Sequence, residues 1–211
     1  MKLCLSVLVA TLIVTLSIPT AHAAQGRTAA MQYDDTAYLH VVTLRAAKIV
    51  AGLGISDPSF AARVRDTIAH QYCNLNAIYT ERDDRIKAIK GQAGVDQQTL
   101  DSVKKVAGED AGRKIALLHV QYLDKLSKML SPQQVDGVKD GMTYDVLHVT
   151  YRAYLQKQPD LTEEQKARIL AELTEAREHA MDAESSEKKH AWFGKYKGRI
   201  NNYLSAQGIH L

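Results

Sequence analysis

From Asp34 onward the apolar residues recur at helical spacing. Counting 100° per residue, Tyr38, Leu39, Val42, Ala46, Ile49, Val50 and Leu53 fall within one arc of about 120°. Gly54 follows where a helix ends in a left-handed residue. Asp57 and Pro58 predict the next start, the aspartate as N-cap and the proline at the first helical position. The second stripe runs from Phe60 through Val64, Ile68, Tyr72, Leu75, Ile78, Tyr79 and Ile86 to Ile89, just before Gly91, and Arg82 lies inside it. A third stripe takes in Leu100, Ala107, Ala111, Ile115, Leu118, Tyr122, Leu126 and Met129. Gly108 and Gly112 interrupt it, which leaves one helix or two, and the Ala107/Gly108/Ala111/Gly112 patch predicts a close helix crossing.

Ser131-Pro132-Gln133-Gln134 predicts a further start, with Ser131 and Gln134 as a capping box, and Gly137 and Gly141 keep that element short. Residues 142–158 are mixed in pattern, with β-branched residues near Val146 to Thr150, and predict a short helix from about Val149. Thr162 and Gln165 form a second capping box, followed by a helix to about Ala183. Ser185-Ser186 opens the last helix, which ends near Gly208. No segment alternates apolar and polar residues with period two. The expected architecture is all-α, a single-domain helical bundle of five to seven helices over residues 34–211, preceded by a flexible tail at 24–33.

The first 23 residues read differently. Lys2, an apolar run from Leu3 to Pro19, and Ala21-His22-Ala23 match a cleaved export signal. The run is short for a membrane span, which needs about 20 apolar residues. The expected location is therefore periplasmic or secreted, with no membrane attachment after cleavage. Cleavage also removes Cys4, leaving Cys73 alone and excluding an internal disulfide.

Composition narrows the remainder. With 45% hydrophobic and 24% charged residues, the 211-residue chain is neither disordered nor fibrous. The formal net charge of +3, less Lys2, supplies little drive toward nucleic acid, so none is expected as a partner. Dinucleotide, phosphate-loop, nucleophile-elbow and zinc-protease motifs are all missing from the sequence, and no cofactor is implied.

Several smaller constellations remain. His179 has Glu175 four residues before it and Asp182 three after it, which on a helix makes a weak metal-ligand or proton-tuning set; a solvated polar face is the simpler reading. His70 and Cys73 share the three-residue spacing, with a bystander thiol as the simpler reading. Arg82 on an apolar stripe has to be paired, to snorkel, or to face a ligand.

The C-terminal segment carries the strongest signal. Lys188 to Arg199 holds five cationic residues, no acid and the chain's one tryptophan, whereas Glu163 to Glu187 holds eight acids against Lys166, Arg168 and Arg177. Trp192, Tyr203, Tyr196, Ile200, Phe193 and Leu204 share one helical arc, with Lys195 and Arg199 beside its edge. Two readings stand: a core-packed aromatic helix whose cations meet the upstream acids, or an aromatic platform beside cations that takes a sugar ring and its carboxylate. Gly194 and Gly198 predict a bend or a close approach.

Three stretches together resemble a known family: Arg45–Ser56, Lys139-Asp-Gly-Met-Thr-Tyr144, and His179–Tyr203, the last including Lys-Lys-His-Ala-Trp-Phe-Gly-Lys-Tyr-Lys-Gly-Arg. They are similar to a bacterial family of secreted helical proteins, a domain of unknown function often encoded near polysaccharide-degrading, pectin-directed enzymes. The resemblance implies a role in glycan use and carries over no catalytic residues. His148 stands where the family leads one to expect a proline. Leu130-Ser-Pro-Gln-Gln134 and Leu161-Thr-Glu-Glu-Gln165 are also similar to the paired motif of small periplasmic chaperones.

The leading expectation is an exported, non-enzymatic binding or accessory protein in polysaccharide utilisation. Its candidate ligand residues are Trp192, Tyr196, Lys195, Arg199 and Arg82, and its partner an acidic oligosaccharide or polysaccharide. A glycan-active enzyme and a chaperone-like protein are the alternatives. A cleft joining Arg82, His179 and acids from different helices would favour the enzyme, and the oligomeric state is not legible.

Overall fold

Helix boundaries follow the capping chemistry closely. The computed structural model describes the backbone of residues 22–209 and the side chains of residues 36–209. The apolar run from Leu3 to Pro19, read as an export signal, lies outside them. The described residues form seven helices: α1 (His22–Ala51), α2 (Pro58–Lys90), α3 (Gln97–Ser127), α4 (Pro132–Met142), α5 (Val146–Lys157), α6 (Glu163–Met181) and α7 (Ser186–Ala206). No strand occurs among the described residues. Asp57, Asp96 and Ser185 each accept a first-turn backbone N–H, and Ser131 and Thr162 form full capping boxes with Gln134 and Gln165. Those two boxes are also the Leu-[Ser/Thr]-x-x-Gln motifs, so helix capping accounts for the chaperone-like repeat.

Two elements, α1 and α5, differ from the sequence pattern, and α3 settles an alternative that the pattern left open. Helix α1 is already helical at His22, so it includes the 24–33 segment read as a tail. Helix α3 is continuous through Gly108 and Gly112. A Cβ at either glycine would meet nothing within 4 Å, while Ala107 and Ala111 are buried, so the alanines alone make the crossing. Helix α5 begins at Val146, earlier than the pattern predicts. Its N-cap, Asp145, makes no side-chain capping bond and follows Tyr144; both are left-handed, at φ 56° and 60°. Such residues cost about 1–3 kcal/mol each. Backbone bonds from Thr143 and Asp145 to the Asp140 carbonyl hold the turn.

Helix packing gives two hydrophobic cores. Val42, Ala46, Val64, Ile68, Tyr122, Leu126, Val138 and Met142 of α1–α4 form one. Leu147, Tyr154, Ile169, Leu173, Phe193, Ile200 and Leu204 of α5–α7 form the other. Helix α6 serves both, because its last residue, Met181, is buried in the first. Each fully buried Leu, Ile or Phe contributes about 1.5–3 kcal/mol. Glycine matters where α4 meets α1. A Cβ at Gly141 would come within 2.8 Å of Ile49, and one at Gly137 within 2.8 Å of Leu53. Residues 38–211 form one compact unit; of residues 1–37, the described part is the first portion of α1. No described helix is long and apolar enough to cross a membrane.

Candidate functional site

The α6–α7 turn carries the site. Helix α6 stops at Met181, and Asp182 is its C-cap. Lys189, counted in the basic run, is buried instead and donates from Nζ to the carbonyls of Ala180 at 3.0 Å and Met181 at 2.8 Å. It thereby satisfies acceptors that the helix end leaves open. Burial pushes the Lys189 ammonium down to about 8. Tyr79 of α2 donates its hydroxyl to the Asp182 carbonyl at 2.8 Å, tying the turn to α2. Burial pushes the Tyr79 hydroxyl up to about 12.

Beside this turn lies an open groove of about 740 Å³. Helix α3 supplies an apolar wall from Ile115, Ala116 and Val120, with His119 among them. Across from it come Arg82 of α2, Glu178 and His179 of α6, Asp182 and Glu184 of the turn, and Lys188 and Trp192 of α7. His119 Nδ1 lies 2.6 Å from Asp182 Oδ2, and its Nε2 lies 3.8 Å from Glu178 Oε2. The hydrogen bond to Asp182 is the main reason the imidazole is held above its ordinary value, with the charge of Glu178 adding to it and burial opposing it. Glu178 is engaged by Lys139 of α4 at 2.8 Å, and Glu184 by Arg82 at 2.6 Å.

The five ligand candidates separate. Trp192 and Arg82 line the groove. Arg82 resolves its place on an apolar stripe by pairing with Asp83 and Glu184 and by stacking on Tyr79, 4.9 Å from the ring centroid. Trp192 is half-buried, with His179 stacked on it at 4.5 Å and Lys195 over the ring at 5.0 Å. It therefore presents an edge to the groove rather than an open face. Tyr196 is buried with Phe193 in the second core. Burial, then a hydrogen bond with Glu175, raises its hydroxyl. Arg199 packs over the Tyr196 ring and pairs with buried Glu172 at 2.9 Å and with Glu175 at 3.6 Å. Neither Tyr196 nor Arg199 reaches the groove, because the helix arc that carries them turns toward α6. A Cβ at Gly194 or Gly198 would meet nothing within 4 Å, so these glycines serve no close approach.

The set His179, Glu175 and Asp182 does not converge. His179 stacks on Trp192, Glu175 turns to Arg199, and Asp182 turns to His119. Among the described residues no group of three or more His, Cys, Asp or Glu side chains is placed to hold a metal ion. His70 is exposed, and Cys73 packs against the first core. His148 lies within α5 and meets Asp140 at 3.1 Å.

A second hollow, of about 930 Å³, lies between the end of α1 and α4. Its acids, Asp136 and Asp140, are both held by Arg177, at 2.7 and 2.8 Å. The Trp192 groove is the one that combines an apolar wall, cations, carboxylates and a histidine.

The resemblance carried by the three sequence stretches has its match: the family model "Protein of unknown function (DUF3826)" covers residues 39–211. The chain belongs to that family. Comparison with the curated proteins finds no match. Every residue of the groove falls inside the DUF3826 match.

Proposed function

We propose that the protein is exported and binds an acidic oligosaccharide in the Trp192 groove, as an accessory to polysaccharide utilisation. The observation that carries this reading is the convergence of Arg82, Lys188, Trp192, His179 and three carboxylates on one groove with an apolar wall. Sugar hydroxyls are suited to the carboxylates, ring C–H faces to Ile115, Val120 and the tryptophan edge, and a sugar carboxylate to Arg82 and Lys188. Export rests on the Lys2–Ala23 pattern.

Because Trp192 is the one tryptophan, its fluorescence reports the groove directly. Titration with oligogalacturonides is expected to give a saturable change that neutral oligosaccharides of the same length do not. An equal response to both would remove the acidic specificity. No binding to either, by fluorescence and by calorimetry, would remove the saccharide reading.

A further inference from the structure

The groove is equipped for more than binding. Resting on the saccharide reading of that groove, we propose that His119, oriented by Asp182, is the proton-transfer residue of an elimination reaction on a carboxylated sugar. Three features of the site lead there.

The first is a preorganised imidazole. Asp182 is 7% exposed and accepts from or pairs with Nδ1 at 2.6 Å, so the ring orientation is fixed by a buried carboxylate. The aspartate is itself held, since its carbonyl accepts from Tyr79 and the two carbonyls before it accept from Lys189. The second feature is an available Nε2. Its nearest carboxylate oxygen, on Glu178, stands at 3.8 Å, beyond hydrogen-bond reach, and that oxygen is already bonded to Lys139. The third is positive charge on the same groove, from Lys188 and from Arg82, whose guanidinium is shared with Asp83 and Glu184.

These parts fit removal of a proton from the carbon beside a carboxylate. The cations offset the second negative charge that builds on the carboxylate as the carbon loses its proton. In the reaction, neutral His119 Nε2 takes the α proton. The C–H electron pair forms a C=C bond to the β carbon, and the β C–O bond breaks. The leaving oxygen then receives the proton back from Nε2. The products are an unsaturated sugar acid and a saccharide with a free hydroxyl, and no oxidant, reductant or water is consumed. Hydrolysis fits less well, because it needs two carboxyl groups free to act as acid and base. Here Glu178, Asp182 and Glu184 are each engaged by a cation or imidazole.

The pH dependence comes from the groups around the ring. Asp182 and Glu178 favour imidazolium, while burial and Lys139 oppose it. Arg82, Glu184, His179 and Lys188 face the same groove. Activity should therefore rise with pH as His119 loses its proton. Asp182→Asn should shift that rise to lower pH while lowering the maximum rate.

The test incubates the full-length protein with oligogalacturonides in D₂O. Ultraviolet absorbance reads the carboxylate-conjugated double bond, and NMR reads both that product and deuterium entering at the carbon beside the carboxylate. The wild type should give product, and His119→Gln should lose at least about 100-fold in rate while still binding the saccharide. Binding by the wild type without product or exchange would overturn the catalytic role and leave the saccharide reading standing. No binding by the wild type would remove both. Turnover by His119→Gln at the wild-type rate would move the proton transfer to another residue and overturn the assignment. Were that variant to fail to fold, by circular dichroism, the shifted profile of Asp182→Asn decides, and an unshifted profile counts against the proposal.

Discussion

Helix α6 holds two groups of charge that differ in what they pair with. On its packed faces, Glu172 is buried between Arg168 and Arg199, at 2.7 and 2.9 Å, and Arg177 is buried against Asp136 and Asp140 of α4, with a longer contact to Glu178 at 3.4 Å. In these contacts every cation is a guanidinium, which keeps its charge at all physiological pH values. At the C-terminal end, Glu178 and Asp182 flank His119, a titratable imidazole that they hold above its ordinary value, and the cluster opens on a groove. The first group joins helices and has one state. The second has two protonation states and a surface from which to use them. Both use carboxylates from the same acidic stretch of sequence, so the partner's chemistry and its access to a ligand, not the acid count, divide structure from function.

Breaking the closed group should cost the most stability. Arg177 has a side chain only 7% exposed, and Arg177→Met leaves Asp136, Asp140 and Glu178 without it. A loss of about 3–5 kcal/mol is expected, read as a fall in the urea midpoint. A loss below about 1 kcal/mol would mean the carboxylates simply rehydrate. Glu172→Gln should cost less, about 1–3 kcal/mol, because Arg168 and Arg199 can turn to water. Glu172→Gln should not move the pH at which His119 titrates.

The groove end should instead respond to pH. Followed by NMR, His119 should titrate above the ordinary histidine value, and Asp182→Asn should bring it down. A histidine whose value is raised by folding adds stability that is present below its unfolded value and is lost as pH rises through the folded one. Unfolding curves for the wild type and Asp182→Asn should accordingly diverge most in mild acid and converge in alkali. Lys189 gives an effect of opposite sign. Its folded value is lowered to about 8, so between there and the unfolded value near 10.5 the unfolded chain binds more protons. Stability should rise with pH across that window in the wild type relative to Lys189→Met.

Most of the fold was legible because it rests on local chemistry. Asp57-Pro58, Ser131-Pro132 and Thr162…Gln165 announce helix starts within a few residues. Helix α5 was harder to place because its start uses two left-handed residues and no side-chain cap. Only part of the site could be read. Trp192 and Arg82 stood out as an aromatic and a charge in unusual company. His119 did not, since its partner is 63 residues away and no helical spacing connects them. The i, i+3 link drawn between His179 and Asp182 failed because other helices engage both side chains: His179 stacks on Trp192 of α7, and Asp182 meets His119 of α3. Lys189 looked like one more surface cation because sequence does not show which lysine of a run folds back under a helix end.

Whether the groove or the opposite side of α7 receives the saccharide can be decided by calorimetry. Oligogalacturonide is titrated into the wild type, Arg82→Gln and Arg199→Gln. With the saccharide in the groove, Arg82→Gln weakens binding about tenfold or more while Arg199→Gln binds like the wild type. Wild-type affinity in Arg82→Gln, together with a loss in Arg199→Gln, would contradict the groove as the binding site.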